Sequence, residues 1–345
     1  MKNTSPLVSI IIVNWNGLHW LKGLLPSLSR VTYKNVEWIV VDNASEDGSA
    51  DWITKRYPKT ILIENSENLG FSHANNLGYK KAKGEYILFL NNDTKVKPDC
   101  IAELLKPFAA DRMIGGVQSK IILMDDHSRL DSIGAFLTPT GFLFHNNLGG
   151  KDKPEFDHQI DLYTAKGAAM MFRKDVLKKV EVDGWIFDPM YFAYFEESDL
   201  CHRVWLSGYR IVYAYKAIIY HKMGATSNTL MSSRIQFNSY KNRINSYIKN
   251  FGLVNLMLIL PFHIALCHVL ILVFLLKGNP SWSLAIEKAM WWNMLHLPQT
   301  LHNRSIVQTH IRKQSDSGFF RRIMKFPKVS YYIGFLAKFL RIYIH

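Results

Sequence analysis

Tyr86-Ile87-Leu88-Phe89-Leu90-Asn91-Asn92-Asp93-Thr94 decides the fold, because an apolar run ends there abruptly in two amides and an acid. Three earlier runs, at residues 8–13, 36–41 and 60–63, have the same character. Each is short, rich in β-branched residues and almost continuously apolar, as strands buried on both faces of a parallel sheet are. Helical spacing fills the gaps: Leu18, Leu21, Leu24, Leu25 and Leu28, then residues 50–57, then residues 72–83 before Gly84. This alternation predicts βαβ units with right-handed crossovers. Ligands of such sheets gather beyond the carboxyl ends of the strands. Asn14, Asn16, Asp42, Asn43, Asn68 and Asp93 all fall there, which points to a nucleotide site.

The chain has 345 residues, enough for two domains or one elaborated domain. A hydrophobic content of 48% with 13% aromatics suits a packed globular protein rather than a disordered one. The net charge of +14 is uneven: beyond Leu276 stand eleven Lys/Arg against Glu287 and Asp316 alone. A basic, apolar tail suits an anionic membrane surface. No zinc-finger spacing or aromatic nucleic-acid motif is present, so nucleic acid is not an expected partner. Cys100, Cys201 and Cys267 are too scattered for a disulfide framework and fit a reducing compartment. No cleavage signal precedes the first strand, and a cytoplasmic location is expected.

Three segments are expected. Residues 1–115 form the nucleotide-binding α/β half, residues 116–235 the acceptor-binding and catalytic half, and residues 236–345 a helical, membrane-associated region. Gly115-Gly116 is read as opening an irregular stretch of loops, with Asp125, Asp126 and Asp131, around a pocket mouth. Beyond it lie a predicted strand over residues 165–172, a helix over 174–180, the aromatic run 191–195, a helix from the acids to Gly208, and a strand over 210–213.

The chemistry rests on a few side chains. Neither a G-x-x-x-x-G-K-[ST] loop nor a G-x-G-x-x-G turn is present, so a bound diphosphate needs a divalent cation to offset its charge. Asp93 at a strand end suits Mg²⁺ or Mn²⁺; as a plain structural residue it would cap the helix starting near Pro98. Asp42 can accept the imide N–H of uracil or thymine, or simply nucleate a turn before the next helix. Glu196, Glu197 and Asp199 either complement a helix dipole, with Asp199 pairing Arg203, or supply a base of raised pKa against the aromatic run. His221 is a strand-end histidine or a metal ligand.

The runs Val40-Val41-Asp42-Asn43-Ala44-Ser45, Glu67-Asn68-Leu69-Gly70-Phe71, Leu90-Asn91-Asn92-Asp93 and Phe195-Glu196-Glu197-Ser198-Asp199-Leu200, following residues 8–16, are together informative. In this order and spacing they resemble the family 2 glycosyltransferases of GT-A fold, most closely the rhamnosyltransferase and galactofuranosyltransferase-like group, over residues 7–245. The resemblance implies a Rossmann-like, mostly parallel sheet flanked by helices, an inverting hexosyl transfer in cell-surface polysaccharide synthesis, a UDP- or dTDP-sugar donor and a Mn²⁺ or Mg²⁺ cofactor. It assigns nucleotide binding to Val13, Asn14, Asn16, Asp42, Asn43, Asn68, Gly70, Phe71, Asn75 and Asn92. Asp93 becomes the acid of an Asp-X-Asp-type motif whose first position is Asn91, with His221 as second ligand. Glu197 aligns with the family's catalytic acid, with Glu196 and Asp199 beside it.

Two rivals were weighed: a sugar nucleotidyltransferase, which normally needs a basic Gly-rich loop after the first strand, and a non-catalytic membrane-bound sensor or scaffold. Residues 253–276 are long enough to cross a bilayer. A single crossing would put the basic tail outside. An interfacial hairpin bent near Pro261 on the cytoplasmic face, presenting the enzyme to a lipid-linked glycan acceptor, is therefore preferred to two crossings that use residues 282–297.

Overall fold

A computed structural model describes residues 5–224 and 233–332. The chain opens with β1 (Val8–Asn14), α1 (Leu18–Ser29), β2 (Val36–Asp42), α2 (Ser49–Arg56), β3 (Ile61–Glu64), α3 (Gly70–Lys81) and β4 (Tyr86–Leu90). These strands pair in parallel in the order β3-β2-β1-β4. Val8, Ile10, Ile11 and Ile12 of β1 are wholly buried, as a central strand covered on both faces requires.

Next come β5 (Thr94–Val96), α4 (Cys100–Ala110), β6 (Ile114–Leu123), β7 (Leu130–Ser132), β8 (Ala135–Phe136), β9 (Phe144–His145), β10 (Ala169–Arg173), α5 (Lys174–Lys179), α6 (Glu196–Leu206) and β11 (Arg210–His221). The sheet continues β4-β10-β6-β11-β5, with β7 on β6. Strand β10 runs antiparallel to β4 and β6, while β11 runs parallel to β6 and antiparallel to β5. The sheet is thus mixed and curled, and β5 closes on β11 far from β4, its predecessor in the chain.

Several expectations need correction here. Gly115-Gly116 does not open a loop but lies inside the ten-residue strand β6. Its glycines are there for space: a Cβ on Gly116 would lie 2.6 Å from Phe172 and one on Gly115 2.8 Å from Tyr209. The strand expected over 210–213 runs on to His221, and the one expected from residue 165 begins at Ala169.

The described residues of the C-terminal third are mainly helical: α7 (Ser233–Asn250), α8 (Leu253–Leu276), α9 (Pro280–Leu295), α10 (Leu297–Ile306) and α11 (Asp316–Ile323). Helix α8 passes through Pro261 unbroken, and the hairpin bend comes instead at Lys277-Gly278-Asn279, where Gly278 has φ +74°. Pro261 loses one helix hydrogen bond but leaves the others, whereas the left-handed residue ends the helix outright. Only a stripe of α8 (Ile259, His263, Cys267 and Phe274) is buried. Among the described residues, α8 is the one helix long and apolar enough to cross a membrane, with a mean hydropathy of 2.6. The region is not a detachable appendage. Phe251, Ile259, Val307, Ile311, Phe319 and Ile323 share one core with Phe89, Phe172, Phe187 and Trp205, and Trp205 stacks on Phe319 at 5.5 Å.

Candidate functional site

The carboxyl ends of β1, β2 and β4 lie side by side. Parallel register sets Asn14 opposite Asp42. Asn14 Nδ2 donates to Asp42 Oδ2 at 2.8 Å, and Asn92 Nδ2 donates to Asn14 Oδ1 at 2.8 Å. The other Asp42 oxygen accepts the Ser45 N–H at 2.7 Å. A polar rail therefore runs from Asp42 through Asn14 to Asn92, the residue before Asp93. Gly17, not anticipated from sequence, makes room for it: a Cβ there would fall 2.2 Å from Asn92 Nδ2 and 2.5 Å from Asn14 Oδ1. Its signal was the Asn16-Gly17 pair directly after a strand.

The other expected nucleotide residues surround this rail. Asn16, at φ +48°, accepts the Glu46 N–H at 2.8 Å and ties the β1 loop to the β2 loop. Asn43 donates to Asn68 Oδ1 and to the Gly70 carbonyl, both at 3.2 Å, and accepts from Asn65 at 2.8 Å. Its polar atoms are thus engaged in holding the loop before α3. Gly70 has φ +78°, and a Cβ there would lie 2.4 Å from the Phe192 carbonyl. The Phe71 N–H donates to that same carbonyl at 2.7 Å. Asn75, buried, donates to the Phe71 carbonyl at 2.9 Å. Val13 is half-buried beneath the rail's end of β1.

Closure of β5 on β11 builds the second end of the site. Thr94 pairs with His221 in register, and the Lys222 N–H donates to the Asp93 carbonyl at 3.0 Å. This brings His221 Nε2 to 3.3 Å from Asp93 Oδ1. The two atoms are not aligned for a hydrogen bond, and Asp93 Oδ1 is buried with no hydrogen-bond partner. A buried carboxylate oxygen without a donor, facing an imidazole nitrogen, fits a divalent cation. Among the described residues no group of three His, Cys, Asp or Glu could hold a metal. Two protein ligands with the remaining positions left to phosphate and water suit Mg²⁺ or Mn²⁺ in a nucleotide site.

Asp131, expected only as a loop acid near a pocket mouth, and Lys166, expected only as part of a strand, join His221 here. Asp131, wholly buried on β7, meets His221 Nδ1 at 2.5 Å through its Oδ2, and Lys166 Nζ donates to its Oδ1 at 2.8 Å. Burial pulls the His221 pKa down, but the hydrogen bond to Asp131 and the charge of the nearby Asp93 carboxylate prevail and raise it to about 9. A metal ion at Nε2 competes with that proton. Burial also opposes ionisation of Asp131, yet Lys166 and His221 hold it well below the usual carboxylate range.

The acids at the start of α6 divide. They follow a strained turn in which Tyr194 and Phe195 have φ of +72° and +71°, rare for bulky side chains. Asn242 of α7, another residue missed from sequence, clamps the turn by donating to the Ala193 and Tyr194 carbonyls at 3.0 and 2.6 Å. Burial raises the Glu196 carboxyl well above its ordinary pKa, and neighbouring Glu197 adds to the rise. Burial likewise raises Glu197, with its backbone hydrogen bond and the Lys166 ammonium offsetting part of the shift. Glu196 is buried and its Oε2 has no partner; Glu197 is half-buried.

Asp199 departs from the expected catalytic set. It is fully buried, 3.0 Å from Arg203 and 3.1 Å from Lys249, and accepts from Asn250 at 2.8 Å. Burial alone would raise its pKa, but Lys249 and Arg203 hold it well below the carboxylate range. Its oxygens are committed to joining α6 to α7. A cavity of about 690 Å³ lined by Phe136, Phe144, Phe156, Tyr213 and Arg322 contains none of these site residues. Its polar lining, Asn146, Glu155, His158, Asp161 and Lys325, lies away from the carboxyl ends of β1, β2 and β4.

Comparison with known proteins agrees with this geometry. The chain matches the family described as Glycosyl transferase family 2 over residues 9–181, which spans β1 to α5 and stops short of Glu196 and His221. Over 97 residues it is 40% identical to the uncharacterized glycosyltransferase RT0329 of Rickettsia typhi, covering 28% of this chain and 30% of that one. Over 105 residues it is 31% identical to the putative glycosyltransferase EpsH of Bacillus subtilis, covering 30% of each. The match thus spans about 30% of the length of these relatives. The fold resembles S. aureus TarS 1-349 in complex with UDP-GlcNAc, with a TM-score of 0.56, 16% identity, and 88% and 91% of the two chains covered. It also resembles the mannosyltransferase PcManGT of Pyrobaculum calidifontis in complex with GDP-Man and Mn²⁺, with a TM-score of 0.53, 17% identity, and 89% and 88% covered. These likenesses bear out the expected GT-A-like α/β fold. With the family match extending across the strands that build the polar rail and Asp93, the chain belongs to glycosyl transferase family 2.

Proposed function

We propose that the protein is a glycosyltransferase that moves a hexose from a UDP- or dTDP-sugar, with inversion, to a hydroxyl of a lipid-linked glycan. In activity it is akin to the rhamnosyltransferase and galactofuranosyltransferase group. The observation that carries the reading is the continuous polar line from Asp42 to Asn92, ending beside the Asp93–His221 pair. Asp42 presents an acceptor to the imide N–H of uracil or thymine. Asp93 and His221 would hold a divalent cation, which when bound offsets charge on the diphosphate. Glu197 removes the proton from the acceptor hydroxyl as that oxygen attacks the anomeric carbon and the nucleoside diphosphate departs from the opposite face. Its link through Lys166 and Asp131 to the metal side favours Glu197 over Glu196 for this role.

In this reading residues 1–115 bind the donor, 116–235 receive the acceptor and 236–345 attach the enzyme to the cytoplasmic face of a membrane. The exposed apolar side chains of Val254, Leu258, Phe262 and Leu272 on α8 support an interfacial α8–α9 hairpin, as do the basic residues that follow it. A thermal-shift and donor-hydrolysis panel of UDP-, dTDP-, GDP- and CDP-sugars, with Mn²⁺ or with EDTA, tests the proposal. UDP or dTDP should stabilise the protein most, and only with metal. Equal stabilisation by GDP would remove the role given to Asp42, and full turnover in EDTA would remove the metal.

A further inference from the structure

Among the described residues, Arg243 of α7 is a cation without an anion. Its guanidinium lies over the rings of Phe142, Phe195 and Tyr240, at 4.9, 5.3 and 5.5 Å. Among the described residues it makes no ion pair or hydrogen bond, and its Nε is buried without a partner. Aromatic rings satisfy the faces of a guanidinium but leave the N–H donors in its plane unused, and that planar fork matches phosphate oxygens.

A second polar atom in the same cluster is also unspent. His263 on α8 is fully buried, and its Nδ1 donates to the Thr140 carbonyl at 3.0 Å, so the unpartnered Nε2 of the neutral ring is an acceptor suited to a hydroxyl rather than to a phosphate oxygen. The His263 ring lies 4.6 Å from Phe142, the ring that Arg243 also covers. The cluster adjoins the chemistry: Phe195 directly precedes Glu196, and Asn242, next to Arg243, clamps the turn that presents both glutamates. Its other wall is α8, where Leu258 and Phe262 are 66% and 50% exposed.

We propose that Arg243 forms a subsite for the phosphate of an amphiphilic acceptor, whose hydrocarbon lies along the exposed face of α8 while its sugar reaches Glu197. The proposal rests on the acceptor reading above and adds the group that anchors the acceptor. The test uses the full chain in detergent with saturating UDP and Mn²⁺, into which farnesyl diphosphate, inorganic phosphate or farnesol is titrated by calorimetry.

Farnesyl diphosphate should bind the unaltered protein. Arg243→Gln should weaken it about tenfold or more, the scale of hydrogen bonds to a charged group. Arg243→Lys should weaken it less, and both variants should retain UDP affinity. Undiminished farnesyl diphosphate binding by Arg243→Gln overturns the subsite. Should that variant not fold, Arg243→Lys decides, and equal binding there overturns the bidentate fork. Inorganic phosphate binding as tightly as farnesyl diphosphate overturns the lipid-borne source, and farnesol binding as tightly overturns the phosphate contact. Failure of UDP to bind the unaltered protein would instead count against the donor reading, a result separable from the farnesyl titration.

Discussion

Glu197 and Asp199 stand two residues apart on the first turn of α6, and their surroundings have almost nothing in common. Asp199 is enclosed by Arg203, Lys249 and Asn250 and stays ionised. Glu196 and Glu197 crowd each other behind a strained aromatic turn, and burial lifts both. Burial favours the protonated form on either face of the helix. Only the supply of cations differs, and it separates a carboxylate that holds elements together from one basic enough to take a proton. Motif position alone groups all three.

The most severe way to test this contrast is Asp199→Ala. It leaves Lys249 and Arg203 buried without their acid, and a loss of about 3–5 kcal/mol in denaturant-monitored stability is expected. Because the folded pKa of Asp199 lies below the unfolded value of about 3.9, its contribution is complete above that pH. It disappears as the pH falls through the folded value, so the variant should lose less stability on acidification than the parent. A stable Asp199→Ala protein lacking only turnover would return Asp199 to the catalytic set.

Glu197→Gln addresses the other face. Turnover should fall by about 10²-fold or more while UDP binding persists. The base must be ionised to act, so a raised pKa moves the acidic limb of the rate profile upward from the ordinary glutamate value of about 4.3. Normal transfer by Glu197→Gln together with an inactive Glu196→Gln would shift the base by one residue.

A smaller effect is expected from Asp131→Asn, which removes the acid that orients His221. Loosening of Mn²⁺ by about 10–100-fold is the scale for such supporting groups, measured by metal titration in the presence of UDP. An unchanged Mn²⁺ affinity with a lowered Tm would make Asp131 a purely structural partner.

Much of the N-terminal α/β half was legible in the chain because its signals are local. Continuous β-branched runs, helical leucine spacing and polar residues at each strand end all depend on neighbours in sequence. They placed Asn14, Asp42 and Asp93 on one sheet edge before any contact was known. The errors fall where pairing overrides local character. Gly115-Gly116 looks like a chain breaker, yet β6 needs those glycines because Phe172 and Tyr209 leave no room for a side chain. The three-residue strand β5 exists only because β11 pairs with it.

The sequence by itself therefore determined the βαβ order, the acids available and the amphiphilic character of the C-terminal third. The tertiary structure alone decided which acids stay charged, because a carboxyl group's ionisation depends on cations delivered by distant segments. Lys249 and Lys166 are such cations, for Asp199 and for Asp131. It alone also set Asp93 against His221, through a strand register that no local pattern encodes.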